Sequence, residues 1–480
     1  MPPRAGVPVV SRKQQLLKRH RRNKRVGLLA GLIALAALGV VTWWWLPLVL
    51  LPLLWVAHEA WFADHLFYSP AEDYAYRFGD QARQVAASLR EGVLQADAAL
   101  AGDETLILEV RLKSSWLGRW LDPRVELQGE AEQDRQAFER GVDGVRFLNL
   151  TGFAAPLMAG ALRLRGRYCR LVGTPRLWIT PPVELDRRRV MVIAPHADDA
   201  ELAAYGLYSQ ADEAWVVTLT AGEIEAEHYQ QMGLPKAEAA RLKGRLRAWD
   251  SITVPRWAGV PEAHCVQLGY FCLQLPAMQA TPDQPVGSRE AELADTRPFR
   301  RLNAFTLPGD ADGAPTWNNL LADLRTLLQQ ARPQVLVMPH PQLDPHPDHI
   351  CAQAAVHEAL QGLDWQPETQ LYYANHLHDN DRWPMGDSGD GVALPPQLSA
   401  EQAWVPYCRV LDLATQRDKA MALGMMHDLH PPAPFKRRLR RVLQHWLAGR
   451  KPSVYGENEF FRKAVRRHEL FWHRPCERDE

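Results

Sequence analysis

The chain has 480 residues, of which 46% are hydrophobic and 23% charged, a composition typical of globular protein and not of a disordered chain. Its 56 basic and 56 acidic residues cancel, so the chain as a whole has no field that would attract nucleic acid. The six cysteines form no C-x-x-C pair, which argues against a thiolate zinc site and against a disulfide framework. The length predicts roughly two to four domains.

The N-terminal region predicts a membrane attachment. Residues 1–26 form a basic tail without an acidic residue, and the predicted transmembrane segment follows at residues 27–63. No charged side chain occurs from Gly27 to Ala57, enough for roughly 45 Å of helix against a hydrocarbon core of ~30 Å. The run is too long for a secretory signal peptide and has bulky tryptophans where a cleavage site needs small residues.

Two arrangements fit this segment. One long tilted span would carry the rest of the chain out of the cytoplasm, whereas a two-helix hairpin, roughly 27–43 and 46–63, would keep it inside. The basic tail places the N-terminus in the cytoplasm by the positive-inside rule. The hairpin is favoured, and it predicts that the rest of the chain lies on the cytoplasmic face of the membrane.

Residues 64–186 are expected to form a β-rich accessory module. Four stretches alternate apolar and polar side chains, the period of half-buried strands: 106–113, 124–132, 162–172 and 175–180. Glycine and proline separate them. A small antiparallel sheet or sandwich is predicted, and a spacer or accessory role is favoured because the region has no cluster of catalytic side chains.

The pattern changes at residue 187. Short, almost wholly apolar runs suit strands buried on both faces, and they occur at 190–194, 214–220 and 334–339. Helical stretches alternate with them, at 200–210, 237–251 and 317–331. This alternation predicts an α/β domain with a parallel sheet. Residues 275–313, rich in proline, aspartate and glycine, are expected to be an irregular insertion over the site.

Two polar clusters follow the first and last of these buried runs. APHADDAE contains His196, Asp198 and Asp199, and HPQLDPHPDHI contains His346 and His349. In open α/β sheets, ligands bind beyond the carboxyl ends of the strands, so both clusters should reach one edge. Either cluster alone is weak evidence, because loops carry such residues in caps and turns. Together they favour a metal site, since two histidines with one aspartate make a reasonable three-ligand zinc set.

These stretches also resemble a known family. APHADDAE resembles the (A/P)HPDDE signature of the PIG-L, or LmbE-like, de-N-acetylases, and HPDH at 346–349 matches their second signature. TLTAGE at 218–223 is similar to the family's T-x-G-E. The resemblance covers roughly residues 187–374 and extends to about 430, which gives a deacetylase-like domain at 187–430 and a basic C-terminal extension at 431–480.

The resemblance implies a fold and a set of roles. The fold is a Rossmann-like, largely parallel sheet with helices on both faces. The implied zinc ligands are His196, Asp199 and His349, with iron(II) as the other metal that these ligands accept. Asp198 is the implied general base, and His346 is the implied oxyanion partner or acid. Arg247 and Glu223 are the implied substrate contacts.

The chain departs from the family pattern at three places. Ala197 replaces a proline, and Ala200 replaces a glutamate that instead appears as Glu201. QLGYFC at 267–272 replaces a pattern ending in aspartate, so the substrate contacts there should differ. No role is assigned to four nearby residues, His340, Asp344, His376 and His378.

The implied activity is metal-dependent removal of the N-acetyl group from an amino-sugar of the GlcNAc or GalNAc type. The expected substrate is a lipid-linked or cell-surface glycan such as lipopolysaccharide, and the membrane is the expected partner. One alternative is an amidase acting on another small N-acyl compound or sugar conjugate. A different class is a non-catalytic membrane scaffold on a decayed hydrolase fold. Nucleic acid is not expected, because the basic runs lack interleaved aromatic residues.

Overall fold

The structure is a computed structural model that describes residues 12–41, 43–64, 69–183, 185, 188–377, 380–396, 403–431 and 433–473. Residues 1–11 of the expected basic tail, and His378, lie outside the described residues. The rest of that tail belongs to the first helix, which begins at Arg12.

The N-terminal helices are α1 (Arg12–Val41) and α2 (Leu46–Ala57), and a π-helical turn, His58–Phe62, continues α2. In α1, Leu17–Val41 is long and apolar enough to cross a membrane by length and composition alone. The chain turns back after α1: a Cβ at Gly39 would lie 2.9 Å from Pro47 Cγ, and Lys24 is close enough to His58 to act on its charge. The two helices therefore run antiparallel, and no side chain of α2 is buried.

Eight strands form the next sheet, in which every pairing is antiparallel and the spatial order is β5-β4-β7-β2-β1-β8-β3-β6. The strands are β1 (Arg83–Arg90), β2 (Val93–Ala96), β3 (Thr105–Ser114), β4 (Arg124–Gln128), β5 (Gln133–Ala137), β6 (Asp143–Asn149), β7 (Arg163–Arg167) and β8 (Cys169–Thr180). Apolar side chains such as Leu108, Leu148 and Leu177 make a core of their own.

Two details of this sheet differ from the predicted strands. The stretch 162–172 is divided at Tyr168, which has a φ of 63° and turns the chain between β7 and β8. The expected interruption before residue 175 does not occur, because β8 continues to Thr180. The register between β3 and β8 shifts at this point: residue 110 of β3 stands opposite residues 173–175, so the extra residues form a bulge in β8.

The second sheet has seven strands in the order β11-β10-β9-β12-β13-β15-β14. They are β9 (Arg189–Ala194), β10 (Glu213–Thr220), β11 (Cys265–Tyr270), β12 (Val335–Pro339), β13 (Thr369–Tyr373), β14 (Val405–Val410) and β15 (His468–His473). The first five in this order are parallel, and β15 is antiparallel to both of its neighbours. The chain winds outwards in one direction from β9 and in the other from β12, so a crevice is expected between these two strands.

Helices cover both faces of this sheet. The helices after the hairpin are α3 (Ala154–Met158), α4 (Asp199–Tyr208), α5 (Glu227–Gln230), α6 (Lys236–Thr253), α7 (Leu275–Ala280), α8 (Arg297–Arg300), α9 (Trp317–Ala331), α10 (Pro347–Gln361), α11 (Leu413–Met425), α12 (Phe435–Ala448) and α13 (Glu459–Ala464), of which α3 belongs to the first sheet and α12 packs against the π-helical turn of the hairpin. Alternate residues of β9 enter different cores: Met191 and Ile193 pack with α9 and α10, and Val190 and Val192 pack with α4 and α11. The mixed α/β class is thus confirmed.

The sheet also uses chain beyond residue 430, where the deacetylase-like domain was expected to end. Strand β15 lies between β13 and β14, and Phe471 and Trp472 are fully buried in the sheet's two cores. Among the described strands, β15 pairs with both β13 and β14 and so joins β14 to the rest of the sheet. The stretch 431–473 is therefore partly an integral strand of this sheet.

Candidate metal centre

The carboxyl ends of the five parallel strands meet at one edge of the second sheet. Strand β9 leads into the cluster at 195–199, β12 into 340–349, and β13 into residues 374–377. Strand β10 leads to Glu223, and β11 leads to Cys272. The strand-end positions predicted from the two apolar runs therefore converge, as expected for parallel neighbours.

Three donor atoms form a small triangle at this edge. His196 Nδ1 lies 3.2 Å from Asp199 Oδ2, His349 Nε2 lies 3.1 Å from the same oxygen, and the two nitrogens are 3.4 Å apart. A tetrahedral ion with bonds of about 2.0–2.1 Å has ligand–ligand distances of about 3.3–3.4 Å. The three atoms thus have the spacing of one face of a tetrahedral site, which leaves the fourth position open.

A second layer of polar groups orients these three side chains. The other nitrogen of His196, Nε2, lies 3.2 Å from Asp348 Oδ2, and His349 Nδ1 lies 2.9 Å from Asp344 Oδ2. Asn375 Nδ2 donates to Asp199 Oδ1 at 2.8 Å, which leaves Oδ2 facing the triangle. Carboxylates behind histidine ligands fix the ring and raise its basicity, so this layer fits a metal centre.

The electrostatics of the cluster also suit a cation. Burial alone would raise the pKa of Asp199, but His349 and His196 beside it hold that pKa well below its usual range. Burial would lower the pKa of His349, yet Asp199 and Asp344 raise it to about 10. The cluster therefore holds ionised carboxylates neutralised by protons on histidines, and a divalent cation can replace those protons.

His346 stands next to the triangle. Its ring centroid is 4.8 Å from that of His196, and its Nδ1 accepts a hydrogen bond from the backbone N–H of Asp348 at 3.3 Å. Burial, with the charges of His196 and His349, lowers the pKa of His346 to about 3. The ring is neutral with its proton on Nε2, which can donate to a substrate oxygen. One nitrogen of His346 also lies within 4.8 Å of donors on His196 and His349.

Asp198 is held apart from the triangle by Arg247. Its Oδ1 accepts a hydrogen bond from Arg247 Nη2 at 3.0 Å, and Arg247 Nη1 binds Asp428 on the far side. Lys243 Nζ lies 2.9 Å from Asp428. Gly222 permits this arrangement, because a Cβ there would lie 2.4 Å from Arg247 Nε. Arg247, expected to contact substrate, has both ends of its guanidinium engaged within the protein.

Glu223 and Cys272 lie on the side of β10 and β11. Glu223 is fully buried, and its two oxygens accept hydrogen bonds from the Cys272 N–H at 3.1 Å and the Ser288 hydroxyl at 2.6 Å. Burial raises the pKa of Glu223. Through these hydrogen bonds Glu223 fixes the segment after β11. A contact between Glu223 and substrate stays a prediction. Cys272, where the family pattern has aspartate, places Sγ 3.5 Å from His196 Nε2.

Sequence reasoning left out several members of this constellation. Asp344 and Asp348 stand inside the second cluster, and Asn375 follows β13, so the strand-end rule could have found them had the rule been applied to every strand. Nothing local indicated Asp428, because its link to Arg247 spans 181 positions of the chain. Glu201, displaced by one position from the family pattern, accepts a hydrogen bond from the Tyr208 hydroxyl within α4.

The chain is similar in sequence to known proteins. A sequence profile of the PIG-L family, described as GlcNAc-PI de-N-acetylase, matches residues 191–360. A protein of Corynebacterium urealyticum named 1D-myo-inositol 2-acetamido-2-deoxy-alpha-D-glucopyranoside deacetylase is 28% identical over 184 residues, 37% of this chain and 48% of its own length. The chain thus spans about half the length of this curated relative.

Two solved structures were also matched. The 4-carboxy-2-hydroxymuconate hydratase GalB from Pseudomonas putida KT2440 is 14% identical over 54% of this chain and 84% of its own, with a TM-score of 0.27. A family two carbohydrate esterase from Cellvibrio japonicus is 12% identical over 78% and 96%, with a TM-score of 0.16. Scores this low carry no argument about the fold.

Proposed function

Starting from the PIG-L domain that spans residues 191–360, we propose that this chain is a metal-dependent hydrolase that removes the N-acetyl group from an amino-sugar. The observation that carries the proposal is the triangle of His196, Asp199 and His349 with Asp198 and His346 beside it. The proposed substrate is a GlcNAc- or GalNAc-type sugar in a lipid-linked or cell-surface glycan such as lipopolysaccharide. We also propose that the second sheet belongs to the Rossmann-like class that the family resemblance implies.

We assign the metal to Nδ1 of His196, Oδ2 of Asp199 and Nε2 of His349. A zinc or iron(II) ion bound there would act as a Lewis acid and lower the pKa of water to about 7. The aspartate supplies an anionic oxygen that lies within 3.2 Å of both histidine nitrogens, which favours it over His346 as the third ligand. His346 is then free for a catalytic role.

The chain's own residues carry the proton transfers. Asp198 accepts the proton of the attacking water, and its ion pair with Arg247 fixes the carboxylate in place. His346 donates from Nε2 to the carbonyl oxygen as negative charge grows there, an interaction of a kind worth ~3–4 kcal/mol. The amide C–N bond then breaks, the nitrogen takes up the proton that Asp198 received, and the products are acetate and the free amine.

Arg247 and Glu223 were expected to contact substrate, and their contacts within the protein suggest a positioning role for each. Because Arg247 binds Asp198 and Asp428, we propose that it positions the base, and a contact with substrate would require the pair with Asp428 to open. Glu223 holds the segment that carries Cys272. Since Cys272 replaces the family's aspartate, the alternative substrate is another small N-acyl compound or sugar conjugate.

We also propose that the α1–α2 hairpin attaches the chain to the bacterial inner membrane, with the N-terminus and the catalytic domain in the cytoplasm. The apolar part of α1 after residue 25 provides about 24 Å of helix, and α2 provides about 18 Å before the π-helical turn at its base. Lys24 and His58, at the open end of the hairpin, lie close together. The positive charges preceding residue 26 favour the cytoplasmic side for that end.

The test is release of acetate by the purified full chain in detergent, with zinc or iron(II) added, from lipid-linked and soluble N-acetylhexosamines and other N-acyl compounds. We expect release by the wild type and by Asp212→Ala, which removes an exposed aspartate at the opposite edge of the sheet. Asp198→Ala should give none. A wild type that binds no metal and releases no acetate would favour the scaffold alternative.

A further inference from the structure

Helix α12 presents its apolar stripe to the outside of the molecule. Phe435, Val442 and Trp446 lie on one side of the helix and are 74%, 52% and 77% exposed. An ordinary surface helix of a globular protein buries its apolar stripe against the core. The stripe of α12 is therefore free to contact something outside this chain.

The opposite side of α12 is fastened to the base of the hairpin. Glu59, in the π-helical turn after α2, is almost fully buried, and its carboxylate binds Arg440. Lys436 Nζ is 3.8 Å from the same carboxylate, and Gln444 donates to the Glu59 carbonyl at 3.4 Å. These contacts fix α12 beside the point where the apolar hairpin leaves the rest of the protein.

A second exposed apolar group lies at the same point. Trp116, Leu117 and Trp120 surround a short 3₁₀ turn of the first sheet and are 71%, 46% and 41% exposed. Trp61 of the π-helical turn packs edge-on against Trp120, with ring centroids 5.7 Å apart, and donates to its carbonyl at 3.0 Å. The base of the hairpin is thus flanked by exposed aromatic residues from two distant parts of the chain.

Positive charge accompanies these aromatic residues. Arg437 and Arg438 of α12 are exposed and take part in no ion pair recorded among the described residues. At the same end of the hairpin, the first helix carries a run of exposed basic residues, Lys18, Arg19, Arg21, Arg22, Lys24 and Arg25. Aromatic rings together with basic side chains are the composition of helices that lie in the interface of a bilayer containing anionic lipid.

We propose that α12 and the Trp116–Trp120 turn form a membrane-interface collar around the base of the hairpin. Its occupant is the headgroup layer of anionic phospholipids: the apolar stripe enters the acyl boundary, and Arg438, which flanks the stripe on the helix, meets the phosphates. The continuity of this surface with the unburied apolar hairpin favours lipid over a protein partner. The inference rests on the proposed membrane attachment of the hairpin and not on the proposed hydrolase activity, and it would fix the height and tilt of the second sheet above the bilayer.

The test places an environment-sensitive fluorophore on the stripe of the full chain. Trp446→Cys is labelled in a Cys476→Ser background, since the other five cysteines are buried, and the protein is reconstituted into phosphatidylcholine–phosphatidylglycerol vesicles. The matched control is Trp257→Cys, at a tryptophan that is 52% exposed in the 3₁₀ turn directly after α6. We expect aqueous iodide to quench the label at 446 about threefold less than at 257, and headgroup-proximal spin-labelled lipid to quench only 446.

A second pair of variants tests the charge. With Arg438→Gln, the iodide quenching of the label at 446 should match the quenching measured in vesicles of phosphatidylcholine alone. Arg437→Gln, on the opposite side of the helix, is the control and should leave the quenching unchanged. Val442→Cys supplies a second label on the same stripe should Trp446→Cys disturb the helix. Equal iodide quenching at 446 and 257 would overturn the collar. A different outcome would also overturn the collar and indicate a second copy of the chain. In that case the label at 446 is protected from iodide whatever the lipid charge, is not quenched by spin-labelled lipid, and becomes more protected as the protein density in the vesicles rises.

Discussion

At the scale of single residues, the candidate site depends on the different directions of two adjacent aspartates. Asp199 turns one oxygen toward His196 and His349, whereas Asp198 pairs with Arg247. Consecutive residues at the start of a helix point about 100° apart, so neighbours with the same side chain meet different partners. The order of the two aspartates, ligand and base, follows from these contacts and from the family resemblance together.

A substitution at Gly222 can displace the proposed base, Asp198, without changing the aspartate itself. Its φ of 59° and its contact with Arg247 leave no room for a Cβ, which would lie 2.4 Å from Nε. We expect Gly222→Ala to displace Arg247 and with it Asp198, lowering kcat by roughly 10- to 100-fold while the bound metal is retained. Steady-state kinetics with metal analysis of the same samples measures both.

The matched control is Gly259→Ala. Gly259 also has a left-handed backbone, with φ 85°, but a Cβ there would have no neighbour within 4 Å. It therefore shares the backbone strain of the Gly222 substitution without the crowding. Equal losses of kcat in the two variants would show that strain, and not displacement of Arg247, is responsible.

At the scale of elements, the sequence predicted what local pattern controls and missed what distant pairing controls. The apolar runs predicted β9, β10 and β12 to within one residue at each end, because strands buried on both faces need continuous apolar sequence. Strands β14 and β15 escaped prediction, since β15 joins the sheet through hydrogen bonds to segments about 60 and 100 positions earlier.

The candidate site divides in the same way. The histidines and aspartates of the two clusters were predicted because each follows a strand that the pattern identifies. Asp428 was not, because only the folded chain brings its turn to Arg247. Nor did the sequence indicate that α12 turns its apolar stripe outward, since periodicity shows that a helix has two faces but not which one is covered.

Strand β15 begins with a histidine that links the two sheets and predicts acid sensitivity. His468 Nε2 donates to the Thr151 carbonyl at 3.1 Å, and Nδ1 accepts from the Val392 N–H at 3.4 Å. Burial lowers the pKa of His468 to about 3. In the unfolded chain, where its pKa is near 6.5, this histidine binds more protons between these two values. As pH drops below about 6.5, His468 should therefore lower the free energy of unfolding by about 1.4 kcal/mol per pH unit.

Denaturant unfolding of the full chain in detergent between pH 7 and pH 4 measures this slope. His468→Gln should flatten it by that amount, because glutamine retains a donor and an acceptor but does not titrate. His430→Gln, at an exposed histidine, is the control and should leave the slope unchanged. A slope that His468→Gln does not alter would assign the acid sensitivity to other groups.

At the scale of the whole molecule, the proposed membrane attachment by the hairpin and the proposed collar together predict one orientation of the chain at the bilayer. Both ends of the hairpin lie together, so the two termini of the described chain should face the same compartment. We expect green fluorescent protein to fluoresce when fused to either end of the chain in a bacterial host. Alkaline phosphatase, which needs export, should be inactive at both. Fluorescence at the N-terminus alone, with active phosphatase at the C-terminus, would establish a single span.

The central claim is that the strand-end cluster is a hydrolytic metal centre in which Asp199 binds the ion and Asp198 does not. The most direct measurement is the metal content of purified Asp198→Asn and Asp199→Asn beside the wild type, with acetate release recorded on the same samples. We predict that Asp198→Asn keeps the wild-type metal content and loses activity, and that Asp199→Asn loses both. Metal lost from Asp198→Asn but kept by Asp199→Asn would reverse the two roles and contradict the account.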